Sequence, residues 1–491
     1  MRISRSVALL TTALVVLILS GCNAPHSTTG AISGASSQSG NLATSAGTKA
    51  TAGSGPILTV SAGISHPISA KFEGTNLDFT GVAETYNEAS VLKAVTSLSP
   101  GTIRYPGGAI ANFWNWQTGS VNEPPSTTST GFGTIRYKPG RQRTYGFTLS
   151  TLKQITTATG AIPIFDLNVM TSTLGDQLQM LQAAAQLGLP IRYVELGNEF
   201  YLSNSNYLHA FPTPTSYADL VATWAPAIHA AFPGAQVAAV ATVSTATPRE
   251  QEWNTTLLSI AGSDINAVTL HDYPVVAEPT RTAPTPGALF AAATVDWQPV
   301  EAVMNALPSH LTVWLTEYNL GLIDVAMGSP PLGTTWEHAL YVAQLDLLEL
   351  ASPHIALTDF WDLFGSAIDA QLTTALPPMT TPTGSASQLI NQAMVGATSV
   401  TELTITNDPI LDGSVKSVSG IEVTGASDGD KIILVNLGSR PIALAVGDLL
   451  LKSASAQQLS SPLSMQAVHI KSIRISGHLN LPPYSLTVVN Q

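Results

Sequence analysis

A chain of 491 residues, 44% hydrophobic and only 11% charged, carries enough apolar material for one large folded domain and a smaller second one, which excludes a disordered protein. Its 20 Lys and Arg stand against 32 Asp and Glu, a net charge of -12, and this excludes a nucleic-acid partner, which needs a basic surface. Cys22 is the only cysteine, so no intramolecular disulfide can form.

At the N-terminus, Arg2 and Arg5 precede an apolar run from Val7 to Leu19. The run is too short to span a bilayer and reads as a secretory signal peptide. It ends in Leu19-Ser20-Gly21-Cys22, which resembles the lipobox of bacterial lipoproteins. That resemblance implies a signal peptide over 1–21, cut before Cys22, whose thiol is then acylated. The protein would be extracytoplasmic, held to the membrane through its N-terminal lipid only, or released. Residues 22–56 are dominated by Ser, Thr, Gly and Ala, cannot bury enough surface to fold, and read as a flexible tether.

The stretch Ile57 to Ser69 is strand-like and, within a segment 57–70, is expected to pair with strands near the C-terminus. From 71 to 388 short apolar runs alternate with helical patterns. The predicted strands are Lys71–Leu77, Thr102–Tyr105, Ile162–Leu167, Arg192–Leu196, Val237–Val243, Ala267–His271, Thr312–Leu315 and Ile355–Phe360. Between them, Leu174, Leu178, Leu181 and Ala185 predict one helical face. Ser216 with Asp219 predicts a capping box opening a helix that buries Tyr217, Leu220, Trp224 and Ile228 and kinks at Pro226. Thr335 to Ala351 is another long helix. Eight strands alternating with helices predict an α/β fold, a (β/α)8 TIM barrel. A doubly wound open sheet is the alternative, but no G-x-G-x-x-G turn follows Lys71–Leu77. Residues 389–491, with runs such as Lys431–Asn436 and Leu486–Val489 between turn residues, predict an all-β sandwich.

In such a barrel the reactive side chains sit at the C-terminal ends of the strands. Strand four is followed by Gly197-Asn198-Glu199 and strand seven by Thr316-Glu317-Tyr318-Asn319. A carboxylate at a buried strand end costs free energy unless paired or put to use. Two of them in one barrel mouth suit acid/base and nucleophilic work. Structural salt bridges are the other reading, but the chain has just 20 cations to supply them. Glu195, four residues before Glu199, is expected one layer deeper, bridged to Arg104. Asp166 and Asn168 end strand three. The ten histidines are scattered, so neither a metal site nor a cofactor is expected.

These motifs resemble the clan A glycoside hydrolases, whose acid/base follows an asparagine after strand four and whose nucleophile ends strand seven. Arg104-Tyr105-Pro106-Gly107-Gly108 resembles the second-strand motif of family 51 arabinofuranosidases. His271-Asp272-Tyr273 resembles the sixth-strand His-x-Tyr, and Trp361 follows strand eight, where an aromatic sugar platform often stands. Leu481-Pro482-Pro483-Tyr484-Ser485-Leu486-Thr487 resembles the last sandwich strand of families 39, 51 and 79. The chain departs from family 51 at Ala109, usually asparagine, and at Asp78, usually glutamate, so families 39 and 79 stay open.

The resemblance implies retaining cleavage of O-glycosidic bonds in plant or microbial polysaccharides or oligosaccharides, by double displacement. Glu317 would be nucleophile and Glu199 acid/base, with the charge of Glu317 holding the Glu199 proton. Asn198, Arg104, Asp78, His271, Tyr273 and Trp361 would bind substrate or orient the carboxylates. Trp114 and Trp116 are further stacking candidates. The alternatives are an inactive carbohydrate-binding lipoprotein and a transglycosidase using the same pair.

Overall fold

The computed structural model describes residues 57–77, 86, 88–122, 142–144, 147–276, 284–364, 369–413, 415–445, 455–475 and 478–491. The expected signal peptide, Cys22, the tether and Asp78 lie outside them. Eight parallel strands close into a barrel in chain order: Glu73–Asn76, Thr102–Tyr105, Ile162–Asp166, Tyr193–Glu195, Gln236–Val240, Ala267–Asp272, Thr312–Tyr318 and Ile355–Phe360. Strand eight pairs back onto strand one, Thr358 opposite Glu73. Successive side chains on a strand face opposite ways. One parity fills the lumen with Ile164, Tyr193, Ala238, Ala267, Trp314 and Leu357. The other, including Val194, Leu270 and Leu315, packs under the helices.

Strand seven breaks this alternation. Leu270 pairs with Leu315, but His271 pairs with Glu317, and on the other side Leu315 and Tyr318 pair with Thr358 and Phe360. Between these pairs strand seven holds one residue more than either neighbour, a β-bulge at Thr316–Glu317. Trp314 points into the lumen, and alternation alone would turn Thr316 inward and Glu317 outward. The bulge turns both inward: Thr316 Oγ1 donates to Glu195 Oε1 at 3.1 Å, and Glu317 meets Arg104.

Two helices differ from expectation. Leu174–Gln186 buries Gln177, Met180, Leu181 and Ala184, a face turned from the predicted one. Gln177 takes a buried place because its Oε1 accepts from the Asn168 amide. The helix Pro214–Ala231 is capped by Thr213, whose side chain accepts from Ser216 N while Ser216 Oγ accepts from Thr213 N. Ser216 is thus the third helical residue of the capping box rather than its first member. The helix Pro382–Met394 straddles residue 388, so the barrel's last helix reaches 394.

The C-terminal strands form a nine-stranded hydrogen-bonded sheet that includes Ile57–Pro67. That strand runs antiparallel to Ser399–Thr406 and parallel to Ile442–Ala445. Leu403, Leu434, Leu444, Leu481 and Val489 share one apolar core, although they come from both ends of the sheet order, so the sheet folds over on itself. The opposite face, with Val400, Val423, Ile433 and Val488, continues the barrel's core. Trp336 ties the two together, donating from its ring to Tyr484 O and from its backbone to Met465 O, both at 2.8 Å.

Three carboxyls are buried between the barrel and the helix Trp336–Ala351: Glu73 from strand one, and Asp346 and Glu349 from the helix. Among the described residues no Lys or Arg pairs with them. Tyr318 Oη donates to Asp346 Oδ1 at 2.8 Å. Burial pushes Asp346 up to about 7 and, helped by the charge of Asp346, holds Glu73 and Glu349 well above the usual carboxylate range.

Candidate active site

The site stands on Arg104, the strand-two residue that faces the lumen and is fully buried. Its guanidinium has five donors in a rigid fork, and all five are engaged. Nε and Nη2 grip Glu195 at 2.6 and 3.0 Å, and Nη2 also donates to Asn198 Oδ1 at 2.9 Å. Nη1 donates to Glu317 Oε1 at 2.7 Å and to Asn76 Oδ1 at 3.2 Å. Asp166 lies 3.2 Å from Nη2. Glu195 thus sits beneath the mouth as the partner of Arg104. Asp166 is buried and faces the same guanidinium. Burial and the neighbouring Glu195 and Glu317 charges outweigh Arg104 and raise the Asp166 carboxyl well above its usual range.

Above this floor, Glu199 and Glu317 converge. Glu317 is clamped on both oxygens, by Arg104 on Oε1 and by the Tyr273 hydroxyl on Oε2 at 2.7 Å. Glu199 is freer, its side chain 22% exposed against 7% for Glu317. Glu199 leaves strand four through a sharp turn in which Gly197 has φ 87° and Glu199 itself φ 54°. A glutamate in the left-handed region is a backbone cost of the kind that gathers at functional sites. A Cβ on Gly197 would come within 2.2 Å of the Phe200 ring. Asn112 brackets the turn, donating to Asn198 O and accepting from Asn198 N.

His271 links the two acids. Its Nδ1 is 2.9 Å from Glu199 Oε1 and 3.5 Å from Glu317 Oε2. Ligand-type atoms of Glu199, His271 and Glu317 all lie within 4.8 Å of one another. A divalent ion accepts such donors, but Arg104 already places a full positive charge against Glu317, so the acids are compensated by a guanidinium. Burial pushes Glu199 up, but the His271 hydrogen bond and charge, the Tyr201 hydroxyl and Arg104 outweigh it and hold Glu199 below the usual carboxylate range. Burial pushes Glu317 up against the opposing charges of His271 and Arg104. Burial lowers His271, but Glu317 and Glu199 prevail and raise it above the usual imidazole range. The direction at Glu199 is opposite to the sequence expectation, which left His271 out.

Trp361 leaves strand eight half-buried, with its indole over Gly108. A Cβ on Gly108 would lie 2.4 Å from that ring, and its φ is +64°. Asn319 Nδ2 donates to Trp361 O at 2.6 Å. Behind it, His338 Nε2 meets Asn319 Oδ1 at 2.7 Å and Nδ1 meets Thr383 Oγ1 at 2.9 Å. Burial pushes His338 down to about 3, so the ring is neutral, donating from Nε2 and accepting at Nδ1. Trp114 is core, its ring donating to Tyr105 Oη, and half-buried Trp116 donates to Asp176. Asn168 donates to Trp114 O and Thr171 Oγ1, a structural role.

Asn76, Asn112, Tyr201 and the His338–Asn319 pair were not anticipated. Tyr201 Oη donates to Glu199 Oε1 at 3.2 Å, and Asn76 Nδ2 to Thr316 O at 2.7 Å. Asn76 shares the lumen-facing parity of Gly74 in the first strand, a signal that would have found it.

No protein-family model matches the chain, and no curated protein sequence does. Solved structures do. A family 51 α-L-arabinofuranosidase from Bifidobacterium longum superposes with a TM-score of 0.70 at 16% identity, covering 89% of this chain and 99% of the other. The family 51 arabinofuranosidase from Xanthomonas axonopodis pv. citri gives 0.68 at 15%, covering 88% and 99%. A family 44 xyloglucanase from Paenibacillus polymyxa gives 0.60 at 12%, covering 89% and 100%. Over nearly the whole of those enzymes, this chain shares their fold, a (β/α)8 barrel with an all-β companion domain.

Proposed function

We propose that this protein is a retaining glycoside hydrolase acting on O-glycosidic bonds of poly- or oligosaccharides, with Glu317 as nucleophile and Glu199 as acid/base. The observation that carries the reading is the approach of the two carboxylates, whose oxygens lie within 4.8 Å of each other and of His271 in one barrel mouth. Retaining enzymes hold their carboxyls about 5–5.5 Å apart, inverting ones about 6.5–9.5 Å. Arg104 and Tyr273 orient Glu317 with both oxygens hydrogen-bonded, as an attacking carboxylate requires. The Asn198 Nδ2 amide is buried with no partner among the described residues, a donor available to a sugar hydroxyl. Trp361 offers a stacking face. The folds of the arabinofuranosidases and the xyloglucanase support the class, and Ala109 in place of the family 51 asparagine argues for a different sugar from arabinofuranose.

In the first half-reaction Glu317 attacks the anomeric carbon while Glu199 protonates the departing oxygen. In the second, Glu199 deprotonates water, which displaces Glu317 with net retention. The test is a panel of aryl glycosides with wild type, Glu199→Ala and Glu317→Ala, and NMR of the anomer first released. Glu317→Ala is expected to abolish turnover, and Glu199→Ala to slow poor leaving groups by roughly 10²–10⁴-fold. Azide should rescue the two variants with opposite anomeric outcomes. Inverted product from wild type, or activity surviving in both variants, would overturn the assignment. The lipobox-like Leu19-Ser20-Gly21-Cys22 supports tethering of the enzyme outside the cell through acylated Cys22. Release of Cys22→Ser from membranes would test that.

A further inference from the structure

We propose that His271 is the proton store of this site, passing a proton through Nδ1 to Glu199 as Glu317 loses its charge. This rests on the glycosidase reading and deepens it. The geometry is a line of three groups: Glu199 Oε1, His271 Nδ1 at 2.9 Å, and Glu317 Oε2 at 3.5 Å from the same nitrogen. The Nδ1 proton faces both acids, so its energy depends on the charge of each.

The charged groups that act on the ring come from strands two, four and seven. Glu199 follows strand four and Glu317 ends strand seven, and both favour the imidazolium. Arg104 on strand two opposes it. Tyr201 and Tyr273 donate to the two carboxylates, and Tyr207 is buried near Glu199, all three as neutral phenols. In the resting site two carboxylates flank one imidazolium, which spares Glu199 and Glu317 from facing each other as bare like charges. When Glu317 bonds to the anomeric carbon it becomes a neutral ester, and the largest attraction holding the imidazolium proton is gone. The proton moves from Nδ1 to Glu199 and from Glu199 to the leaving oxygen as the glycosidic bond breaks, leaving neutral imidazole. In the second half-reaction a water proton returns through Glu199 to Nδ1, the hydroxide oxygen bonds to the sugar, and Glu317 departs as a carboxylate. Atoms and charge balance over the cycle, and acid delivery is tied in time to attack.

The discriminating experiment is the pH profile of kcat/KM for wild type and His271→Gln on aryl glycosides with good and poor leaving groups. With a proton store, the alkaline limb of the variant moves to lower pH by about 1–3 units, because the proton then resides on a carboxyl alone. The loss falls on poor leaving groups, roughly 10–100-fold, and spares good ones. An alkaline limb that stays put or moves to higher pH, as expected if the imidazolium merely acidifies Glu199, would overturn the proposal. Nitrogen-15 NMR of His271 in wild type, Glu199→Gln and Glu317→Gln provides a readout that needs no turnover. Both substitutions are expected to lower the imidazole pKa by at least one unit, and an unmoved titration would refute the store. If the imidazole responds in this way but wild type hydrolyses no glycoside, it is the glycosidase reading that has failed.

Discussion

Replacing Asp346 with asparagine is expected to make the protein markedly more tolerant of alkali. Asp346 is buried beneath strand seven, and burial pushes its carboxyl up to about 7 from the 3.8 of a solvated aspartate. Folding therefore takes up a proton between those values. The stabilisation is complete below the unfolded pKa and is lost as pH rises through 7. At about 1.4 kcal/mol for each pH unit between those values, ionising this group in place costs up to about 4 kcal/mol. Glu73 and Glu349, also raised, act in the same direction. An asparagine keeps the acceptor for Tyr318 Oη and cannot ionise. Urea unfolding followed by tryptophan fluorescence at pH 5 and pH 9 measures the effect. Wild type should lose several kcal/mol between the two, and Asp346→Asn should lose roughly 2–4 kcal/mol less. Equal wild-type stability at both pH values, or an unchanged pH slope in the variant, would refute the assignment of a neutral buried carboxyl.

Gly108→Ala should cost about 1–2 kcal/mol of stability from its left-handed backbone, displace the Trp361 ring, and raise KM about 3–10-fold through lost stacking; denaturant melts and steady-state kinetics separate the two. Tyr273→Phe removes a hydrogen bond to an ionised carboxylate worth about 1.5–3 kcal/mol, so kcat should fall about 10–100-fold with little change in unfolding. Arg104→Lys cannot reproduce a fork that meets Glu195, Glu317, Asn198 and Asn76 together, and urea unfolding should show a loss of about 3–5 kcal/mol.

The barrel was legible because each strand is a short apolar run at regular spacing, and all eight predicted runs contain or overlap an observed strand. Glu199 and Glu317 were legible because a carboxylate closing an apolar run is expensive. The companions were less so. Asn76 was passed over for Asp78, since an acid draws attention that a neutral amide does not. Gln177 rotated a helix face because one hydrogen bond to Asn168 outweighed the apolar pattern. His338 acts from a helix nearly twenty residues after Asn319, and no local pattern announces that meeting. The influence of His271 on Glu199 depends on a distance across the lumen, which no spacing along the chain encodes. The bulge in strand seven is equally silent: Val313-Trp314-Leu315-Thr316-Glu317 contains no glycine or proline to mark it.

That extra residue makes the aim of Glu317 a matter of counting rather than of chemistry. Straightening the strand with Thr316 kept would leave every acid of the pocket in the sequence, yet restored alternation would swing Glu317 out towards the surrounding helices and leave Arg104 facing a vacant corner. A relative whose seventh strand kept its length but ran without the bulge could thus carry both glutamates and do nothing with them. Conversely, sliding the surplus residue along that strand offers a way to retarget the acid without substituting any side chain that touches sugar.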